Sequence, residues 1–360
     1  MKYFLIAGEP SGDLHGSGLI SALKDLDPDA QFRGMGGDMM IKAGLHADAH
    51  IAEFSIMGFV EVLGNIFRLR RLMNDLIQAV DDFQPDRIIL IYYGGFNLRF
   101  AKRMHQKSRQ VDYYILPKVW AWNEKRVRKI KRYVHKGYVI FPFEEDYFRQ
   151  HGVDATYVGN PVVAQNEAVG KANGPVDMNE HQIVLLPGSR RQEIKRILPV
   201  LLELPHSFKN YTFKLALREA SDLVPSDLPS NVEVVYGHTH QVIRESVCAI
   251  ATSGTVNLET ALWNVPQIVV YKANALSYWI GRMVVKIKYI SPVNLILNRG
   301  LIAERIQSSC NAITLKHDLE QLLDPQIRQE IQHGYRELKS MLTNRNASIF
   351  TAKKILEHKE

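Results

Sequence analysis

The sequence YFLIAGEPSGDLHGSGLISALKDL, residues 3–26, decides the fold class. It begins with an apolar run, Tyr3 to Ala7, which predicts a buried strand. A glycine-rich loop follows, and the pattern becomes helical from about Gly16 to Leu26. A strand that enters a helix through such a loop is the first unit of a Rossmann-like domain. The stretch therefore predicts an α/β protein with a parallel sheet.

The same alternation of short apolar runs and longer amphipathic runs continues along the chain. In the first half, further strands are predicted at Arg87–Tyr93 and Tyr113–Leu116. In the second half, strands are predicted at Ile183–Leu186, Cys248–Thr252 and Gln267–Tyr271. Helices are predicted over Gln192–Leu204, from Thr255 through Leu262, and after Asp318.

A polar segment between the two halves predicts a domain boundary. Residues 165–180, QNEAVGKANGPVDMNE, are rich in Gly and Asn and show no periodicity, which is typical of a linker. We therefore predict Rossmann-like domains over residues 1–165 and 181–345, with the end of a C-terminal helix at 346–360. Two such halves would face each other across a cleft, with ligands at the carboxyl ends of the strands.

Composition excludes several classes of protein. The two cysteines, Cys248 and Cys310, cannot form a disulfide framework and fit a reducing cytoplasm. The N-terminal apolar run is shorter than a signal peptide requires. No stretch approaches the roughly 18 uncharged apolar residues of a membrane span. We therefore expect a protein that is not integral to a membrane.

Two strand-to-helix turns in the second half have the composition of phosphate sites. Backbone N–H groups at a helix N-terminus favour anions, and hydroxyl and guanidinium groups add to this. The residues are Gly188, Ser189 and Arg190 in the first turn, and Ser253, Gly254 and Thr255 in the second. Glu259 lies one helical turn deeper, where its carboxylate could accept from both ribose hydroxyls. The alternative is that both turns are ordinary helix caps.

The loop after the first strand has a different composition. It lacks the G-x-G-x-x-G pattern and a P-loop lysine, and it contains Glu9, Asp13 and His15 instead. Carboxylates and imidazoles are acid–base groups, so this loop is a candidate for proton transfer. The alternative is a turn with a polar cap.

Two further segments have both a structural and a functional interpretation. The apolar run at 56–63 precedes Arg68, Arg70 and Arg71, and packs in a core or lies at a lipid interface. The apolar residues of this run include Met57, Phe59, Val60, Val62 and Leu63. In the run 125–132, six of eight residues are basic, which favours an anionic partner or a solvated helix face. A nucleic-acid function is disfavoured because stacking aromatics are not interleaved with these charges.

Two possible metal motifs are more simply explained as surface structure. Asp25 and Asp27 have the Asp-x-Asp spacing of metal-dependent sugar transferases but lie at a helix end beside a proline. His46, Asp48 and His50 alternate as strand ligands could, but an exposed polar segment explains them equally well. We expect no metal.

From end to end the chain resembles the lipid-A-disaccharide synthases, inverting glycosyltransferases of the GT-B fold. The matching stretches are AGEPSGDLHG (7–16), FRGMGGDMM (32–40), IMGFVEVLG (56–64), VWAW (119–122), FPFE (141–144), GNP (159–161), LLPGSR (185–190), SGTVNLETAL (253–262) and VVYK (269–272). So many matches in order make this resemblance highly specific.

The resemblance implies the reaction and its setting. UDP-2,3-diacylglucosamine would donate its sugar to 2,3-diacylglucosamine 1-phosphate, giving the β-1,6 disaccharide of lipid A and UDP. The protein would be cytoplasmic and peripheral on the inner face of the inner membrane, need no metal or other cofactor, and be able to form a homodimer. Arg190, the turn 253–255 and Glu259 would contact UDP. Acyl chains and the membrane would be contacted by Met57, Phe59, Val60, Val62 and Leu63. Asn294, Glu304 and Gln307 match a later stretch that would contact the donor or, in a dimer, reach a neighbouring subunit's site.

One departure from the family concerns the proton acceptor. Family members usually carry an aspartate in a pattern like I-D-x-P-(D/G)-F-N, whereas this chain has Tyr92 and Gly95 at the two candidate positions. We therefore expect Asp13 or Glu9 to act as the base, with His15 as a further candidate and Arg190 opposite the charge developing on the diphosphate. The alternatives are a UDP-sugar 2-epimerase and a UDP-binding homologue that has lost catalysis.

Overall fold

The computed structural model describes residues 1–53, 66–274, 278, 287–342 and 345–357. The predicted acyl-contacting residues at 57–63 lie outside the described residues. The chain divides into two compact units. The first comprises Met1–Pro161 and Asn344–Glu360, and the second comprises Val162–Thr343.

The first unit is an α/β domain. Its strands are β1 (Lys2–Ala7), β2 (Gln31–Gly36), β3 (Leu45–His50), β4 (Arg87–Ile91), β5 (Asp112–Tyr114), β6 (Lys136–Val139) and β7 (Ala155–Tyr157). Its helices are α1 (Pro10–Leu26), α2 (Asp38–Ala43), α3 (Ile66–Phe83), α4 (Gly94–Gln106), α5 (Val119–Trp122), α6 (Val127–Tyr133) and α7 (Pro142–Gln150), with 3-10 turns at Ile51–Glu53 and Glu124–Arg126.

The second unit repeats this architecture. Its strands are β8 (Asn179–Leu186), β9 (Thr212–Leu217), β10 (Val232–Tyr236), β11 (Ser246–Thr252), β12 (Gln267–Tyr271) and β13 (Glu304–Ile306). Its helices are α8 (Pro161–Asn173), α9 (Arg191–Leu201), α10 (Thr239–Glu245), α11 (Thr255–Leu262), α12 (Pro292–Leu297), α13 (Ala312–Leu322) and α14 (Pro325–Leu342), with 3-10 turns at Leu204–Ser207 and Gln307–Ser309. The last helix, α15 (Ala347–Glu357), returns to the first unit.

Both sheets are parallel throughout their described strands. The first sheet has the order β3-β2-β1-β4-β5-β6-β7, and the second has the order β10-β9-β8-β11-β12-β13. Strands of parallel sheets are covered by helices on both faces, which explains their continuous apolar runs. In β1, for example, every residue from Tyr3 to Ala7 is completely buried.

The strand order of each sheet reverses at one position. This topological switch point lies between β1 and β4 in the first sheet and between β8 and β11 in the second. Ligands of open α/β sheets bind beyond the carboxyl ends of the strands at such points. The loops that begin at Gly8, Tyr92, Pro187 and Ser253 follow these four strands, so the switch points coincide with the predicted site segments.

The segment predicted as an irregular linker is different in the structure, because α8 occupies most of it. Pro161 is the first residue of this helix, a position that proline favours. The helix ends before Gly174, whose φ of +66° is left-handed, and Pro175 follows. Along the chain, the first unit accordingly ends at Pro161 and the second begins at Val162. The C-terminal segment is bonded to the first unit: Arg345, two residues before α15, donates from Nη1 to the Tyr157 carbonyl at 2.7 Å.

Candidate functional site

The loop after β1 lies largely inside α1, which begins at Pro10 rather than near Gly16 because proline is well suited to the first helical turn. Glu9 is the N-cap residue, half-buried, and its carbonyl accepts from the Asp13 N–H at 3.0 Å. Gly8 cannot carry a side chain, since an added Cβ would lie 2.1 Å from the Tyr93 ring. Glu9, Asp13 and His15 are therefore presented by the loop and first turns of one helix.

Asp13 has a structural role in this arrangement. Its side chain is buried, and its Oδ1 accepts from the N–H groups of Gly37 at 2.7 Å and Met40 at 3.0 Å. Oδ2 accepts from Met39 at 3.1 Å. A carboxylate at the N-terminus of α2 is favoured by the free N–H groups and by the helix dipole. Asp13 thus ties α1 to the turn between β2 and α2.

His15 packs against Tyr92, which lies at one of the two candidate positions for the family aspartate. Its ring stacks on Tyr92 with centroids 5.6 Å apart and an interplanar angle of 21°. Burial lowers the pKa of His15 to about 4, so the imidazole is neutral at neutral pH. Burial also raises the pKa of Tyr92, and the nearby charges of Tyr114, Glu144 and Glu9 add to this effect. This pair is therefore uncharged.

The turn after β4 has an unusual backbone. Tyr92 and Tyr93 have φ values of 51° and 48°, in the left-handed region that residues with side chains rarely adopt. Asn97 stabilises this turn, because its buried Nδ2 lies within hydrogen-bond distance of the carbonyls of Ile6, Ile91 and Tyr92. Asn97, which the family pattern retains, therefore joins the ends of β1 and β4.

A buried ion pair near this turn was not identified from the sequence as a site. Glu144 Oε1 accepts from Trp120 Nε1 at 2.9 Å, and its Oε2 accepts from the N–H groups of Ile140 and Phe141. Lys118 Nζ lies 3.8 Å from Oε1. Burial lowers the pKa of Lys118, while the Glu144 charge opposes this. The sequence contains both partners, Trp120 in the VWAW motif and Glu144 in the FPFE motif. The spacing of the two motifs does not show that these side chains are in contact.

The first predicted phosphate turn, residues 188–190, requires glycine. Gly188 has a φ of +116°, and an added Cβ would lie 2.6 Å from Glu193 Oε2. Ser189 is exposed, and Arg190 is the N-cap residue of α9. Arg190 Nη1 lies 3.2 Å from Glu193 Oε1, yet 83% of the Arg190 side chain is exposed. Its guanidinium is thus held at the helix end while still open to an anion.

The second predicted phosphate turn, residues 253–255, leads into α11. Gly254 N–H donates to Asn257 Oδ1 at 3.0 Å, and Asn257 Nδ2 donates to the Thr252 carbonyl at 3.0 Å. Ser253 Oγ donates to the Ile290 carbonyl at 3.1 Å. Gly254 and Thr255 are exposed. The N-terminus of α11 is therefore held by these hydrogen bonds, while its exposed residues remain accessible to a phosphate.

Glu259 follows one turn deeper in α11. Its side chain is only 18% exposed, and burial raises its pKa, while the nearby His240 opposes this. Among the described residues, its carboxylate has one neighbouring charged group, His240 Nδ1 at 3.9 Å. This distance is too long for a hydrogen bond.

The side-chain amides of Asn294 and Gln307 make hydrogen bonds within the protein. Asn294 Nδ2 donates to the Ile302 carbonyl and to Glu304 Oε1, both at 2.9 Å, and its Oδ1 accepts from two backbone N–H groups. Gln307 Oε1 accepts from Ala273 N–H at 2.7 Å. Both amides shape loops beside β12 and β13, and their contact with a donor stays a prediction.

The motifs interpreted as surface structure have protein partners. Asp27 pairs with the N-terminal amine at 2.8 Å, and Asp48 pairs with Arg33 at 2.7 Å. Within the described ranges, no three His, Cys, Asp or Glu side chains are grouped closely enough to bind a metal ion. No helix in the described part of the chain combines the length and apolarity needed to cross a bilayer.

Comparisons with known proteins agree with this architecture. The model of the lipid-A-disaccharide synthetase family matches residues 3–357. The lipid-A-disaccharide synthase of Myxococcus xanthus is 33% identical over 371 residues, covering 99% of this chain and 97% of the relative. That of Nitrosococcus oceani is 36% identical over 358 residues, covering 94% and 91%.

Solved structures show the same fold at low identity. The kitacinnamycin glycosyltransferase has a TM-score of 0.68 at 13% identity, covering 99% of this chain and 98% of that one. The UDP-GlcNAc 2-epimerase of Neisseria meningitidis, bound to UDP-GlcNAc, has a TM-score of 0.64 at 14% identity, with the same coverage. The two Rossmann-like domains are thus those of the GT-B class, and the chain belongs to the lipid-A-disaccharide synthetase family.

Proposed function

We propose that the protein is a lipid-A-disaccharide synthase. It transfers 2,3-diacylglucosamine from its UDP conjugate to O6 of 2,3-diacylglucosamine 1-phosphate, forming a β-1,6 disaccharide and releasing UDP. The observation that carries this proposal is the family match over residues 3–357. Within that match, the two predicted phosphate turns, 188–190 and 253–255, lie at the switch point of the second sheet.

The second unit supplies the donor end of the reaction. As the anomeric bond breaks, negative charge develops on the UDP diphosphate. The exposed Arg190 guanidinium and the N-terminus of α11 at Gly254 and Thr255 stabilise that charge. Gly188 and Ser189 add backbone and hydroxyl donors, and Glu259 accepts from the ribose. No metal or other cofactor takes part.

We assign the proton acceptor to Glu9. Asp13 already accepts three backbone hydrogen bonds, so as a base it would have to give up part of that network. His15 is neutral but weakly basic, because burial lowers its pKa to about 4. Glu9 is half-buried at the carboxyl end of β1, and its charge helps to raise the pKa of Tyr93, after burial. Asp13 and His15 position the loop that carries Glu9.

The membrane supplies both acylated substrates. On α3, Phe67 is 81% exposed beside the exposed Arg68, Arg70 and Arg71, a combination suited to lipid and anionic headgroups. In the basic run 125–132, Val127 and Ile130 are buried in the core, while five of the six basic side chains are exposed. We propose that these surfaces bind the inner face of the inner membrane. A homodimer is a further expectation from the family.

The decisive assay uses the purified protein with both acylated sugars, no added metal and a chelator, and detects the disaccharide phosphate by mass spectrometry. Product is expected from the wild type. Glu9→Gln should lower kcat by at least about a hundredfold with UDP binding unchanged, since a positioned base contributes 10²–10⁴-fold. The exposed Glu53→Gln is the control and should retain activity.

The same assay separates the alternatives. Intact UDP binding without product would identify a UDP-binding homologue, the reading favoured by Tyr92 and Gly95. Conversion of UDP-GlcNAc to its 2-epimer would identify an epimerase. Full activity of Glu9→Gln would refute the assignment of the base and leave the synthase activity standing.

A further inference from the structure

The side chain of Glu259 is largely buried, with 18% of it exposed, and its carboxylate accepts no hydrogen bond from the described residues. Within the described part of the chain, no group donates a hydrogen bond to it, and His240 Nδ1 at 3.9 Å is its one charged neighbour. By contrast, the buried carboxylates of Asp13 and Glu144 each accept three hydrogen bonds. The Glu259 oxygens therefore keep their capacity to accept hydrogen bonds from groups outside the chain, such as water or a ligand hydroxyl.

His240 faces the same position with an unbonded atom. Its ring is 42% exposed, yet Nδ1 is buried and has no hydrogen-bond partner among the described residues. The fold fixes this orientation, because Val242 and Ile243, two and three residues later in α10, are buried in the core that contains Val184 and Ala249. The Nδ1 atom of His240 therefore faces the Glu259 carboxylate.

The spacing of these two groups suits one hydroxyl. With Nδ1 and the carboxylate oxygen 3.9 Å apart, a hydroxyl oxygen about 2.8 Å from each can accept from the Nδ1–H and donate to the carboxylate. Glu259 also lies four residues beyond Thr255, which corresponds to about 6 Å along the helix. That is the separation expected between a phosphate at the N-terminus of α11 and a ribose hydroxyl of the same nucleotide.

We propose that His240 is a donor-binding residue that, together with Glu259, holds one ribose hydroxyl and so selects ribonucleotides over deoxyribonucleotides. This inference rests on the proposed function, since it assumes that a UDP-sugar occupies the second unit. His240 lies outside the motifs that carry the family resemblance, and only the packing of α10 brings it to Glu259.

The test compares UDP, 2′-deoxy-UDP and 3′-deoxy-UDP by isothermal titration calorimetry. His240→Phe keeps the ring and removes both nitrogens, and should weaken UDP binding about fivefold to tenfold, the worth of one hydrogen bond. One deoxy analogue should bind the wild type and His240→Phe equally, and that analogue identifies the hydroxyl. His240→Asn, whose amide can replace the Nδ1–H, should recover most of the affinity for UDP.

His238→Phe is the matched control, because His238 is exposed at the N-cap of the same helix, and it should bind UDP as the wild type does. The inference is overturned if His240→Phe binds UDP normally, or if it weakens UDP and both deoxy analogues by the same factor. A wild type that does not bind UDP would overturn the proposed function and this inference together, so the two failures are distinguishable.

Discussion

At the scale of single residues, carboxylates with the same formal charge have different roles because their hydrogen bonds differ. Asp13 and Glu144 are saturated by protein donors and hold the backbone in place. Glu259 is 18% exposed and accepts no hydrogen bond from the described residues, so its oxygens are open to water or a ligand. All three lie in stretches that carry the family resemblance, but the sequence does not show which N–H groups surround each carboxylate.

His15 makes stability depend on pH. Burial lowers its pKa in the folded protein to about 4, whereas an unfolded histidine titrates near 6.5. Between these values the unfolded chain binds a proton that the folded chain does not, so stability contributed by this group is complete above about pH 6.5 and is lost as the pH falls towards 4.

Urea unfolding of the wild type and His15→Gln between pH 7 and pH 4 measures this effect. The wild type should lose up to about 3 kcal/mol more than the variant over that range. His46→Gln is the control, because His46 is exposed, and its curve should follow the wild type. Parallel curves for the wild type and His15→Gln would show that His15 titrates normally.

At the scale of elements, local patterns predicted six of the strands, and the other seven described strands were not predicted. Gln267–Tyr271 has the predicted bounds, and the strands at Ile183–Leu186 and Cys248–Thr252 are the apolar cores of β8 and β11. The prediction of an irregular linker at 165–173 was wrong, because α8 has too few apolar positions for a helical period to be visible in the sequence. Its signals were the flanking prolines and Gly174. Similarly, the start of α1 depended on recognising Pro10 as a first-turn residue.

The exposed face of α3 should bind anionic membranes. Arg70→Glu/Arg71→Glu should weaken binding to phosphatidylglycerol vesicles by at least about tenfold, because each basic residue near such a surface contributes about 1 kcal/mol. Flotation with vesicles measures the bound fraction. Arg336→Glu/Lys339→Glu, an equal charge change on exposed positions of α14, should bind like the wild type. Equal losses for both pairs would mean that net charge, rather than α3, drives binding.

At the scale of the whole molecule, the last helix completes the first unit although more than 300 residues separate it from β1. Ala347, Ala352 and Ile355 of α15 are almost completely buried, and an added Cβ at Gly18 of α1 would lie 2.9 Å from Ser348 Oγ. The helical pattern of this segment was predicted from its sequence. Its position was not, because local periodicity gives a helix its apolar face but does not say which domain covers that face.

This arrangement predicts that a C-terminal substitution destabilises the N-terminal unit. Ile355→Ala removes a fully buried side chain and should lower the stability of the first unit by about 2–4 kcal/mol. In differential scanning calorimetry, UDP should raise the transition of the second unit, which identifies it, and Ile355→Ala should lower the other transition. Lys353→Ala, at an exposed position of the same helix, should change neither. If Ile355→Ala lowered the UDP-sensitive transition and left the other unchanged, α15 would belong energetically to the second unit, because a buried side chain stabilises the domain against which it packs.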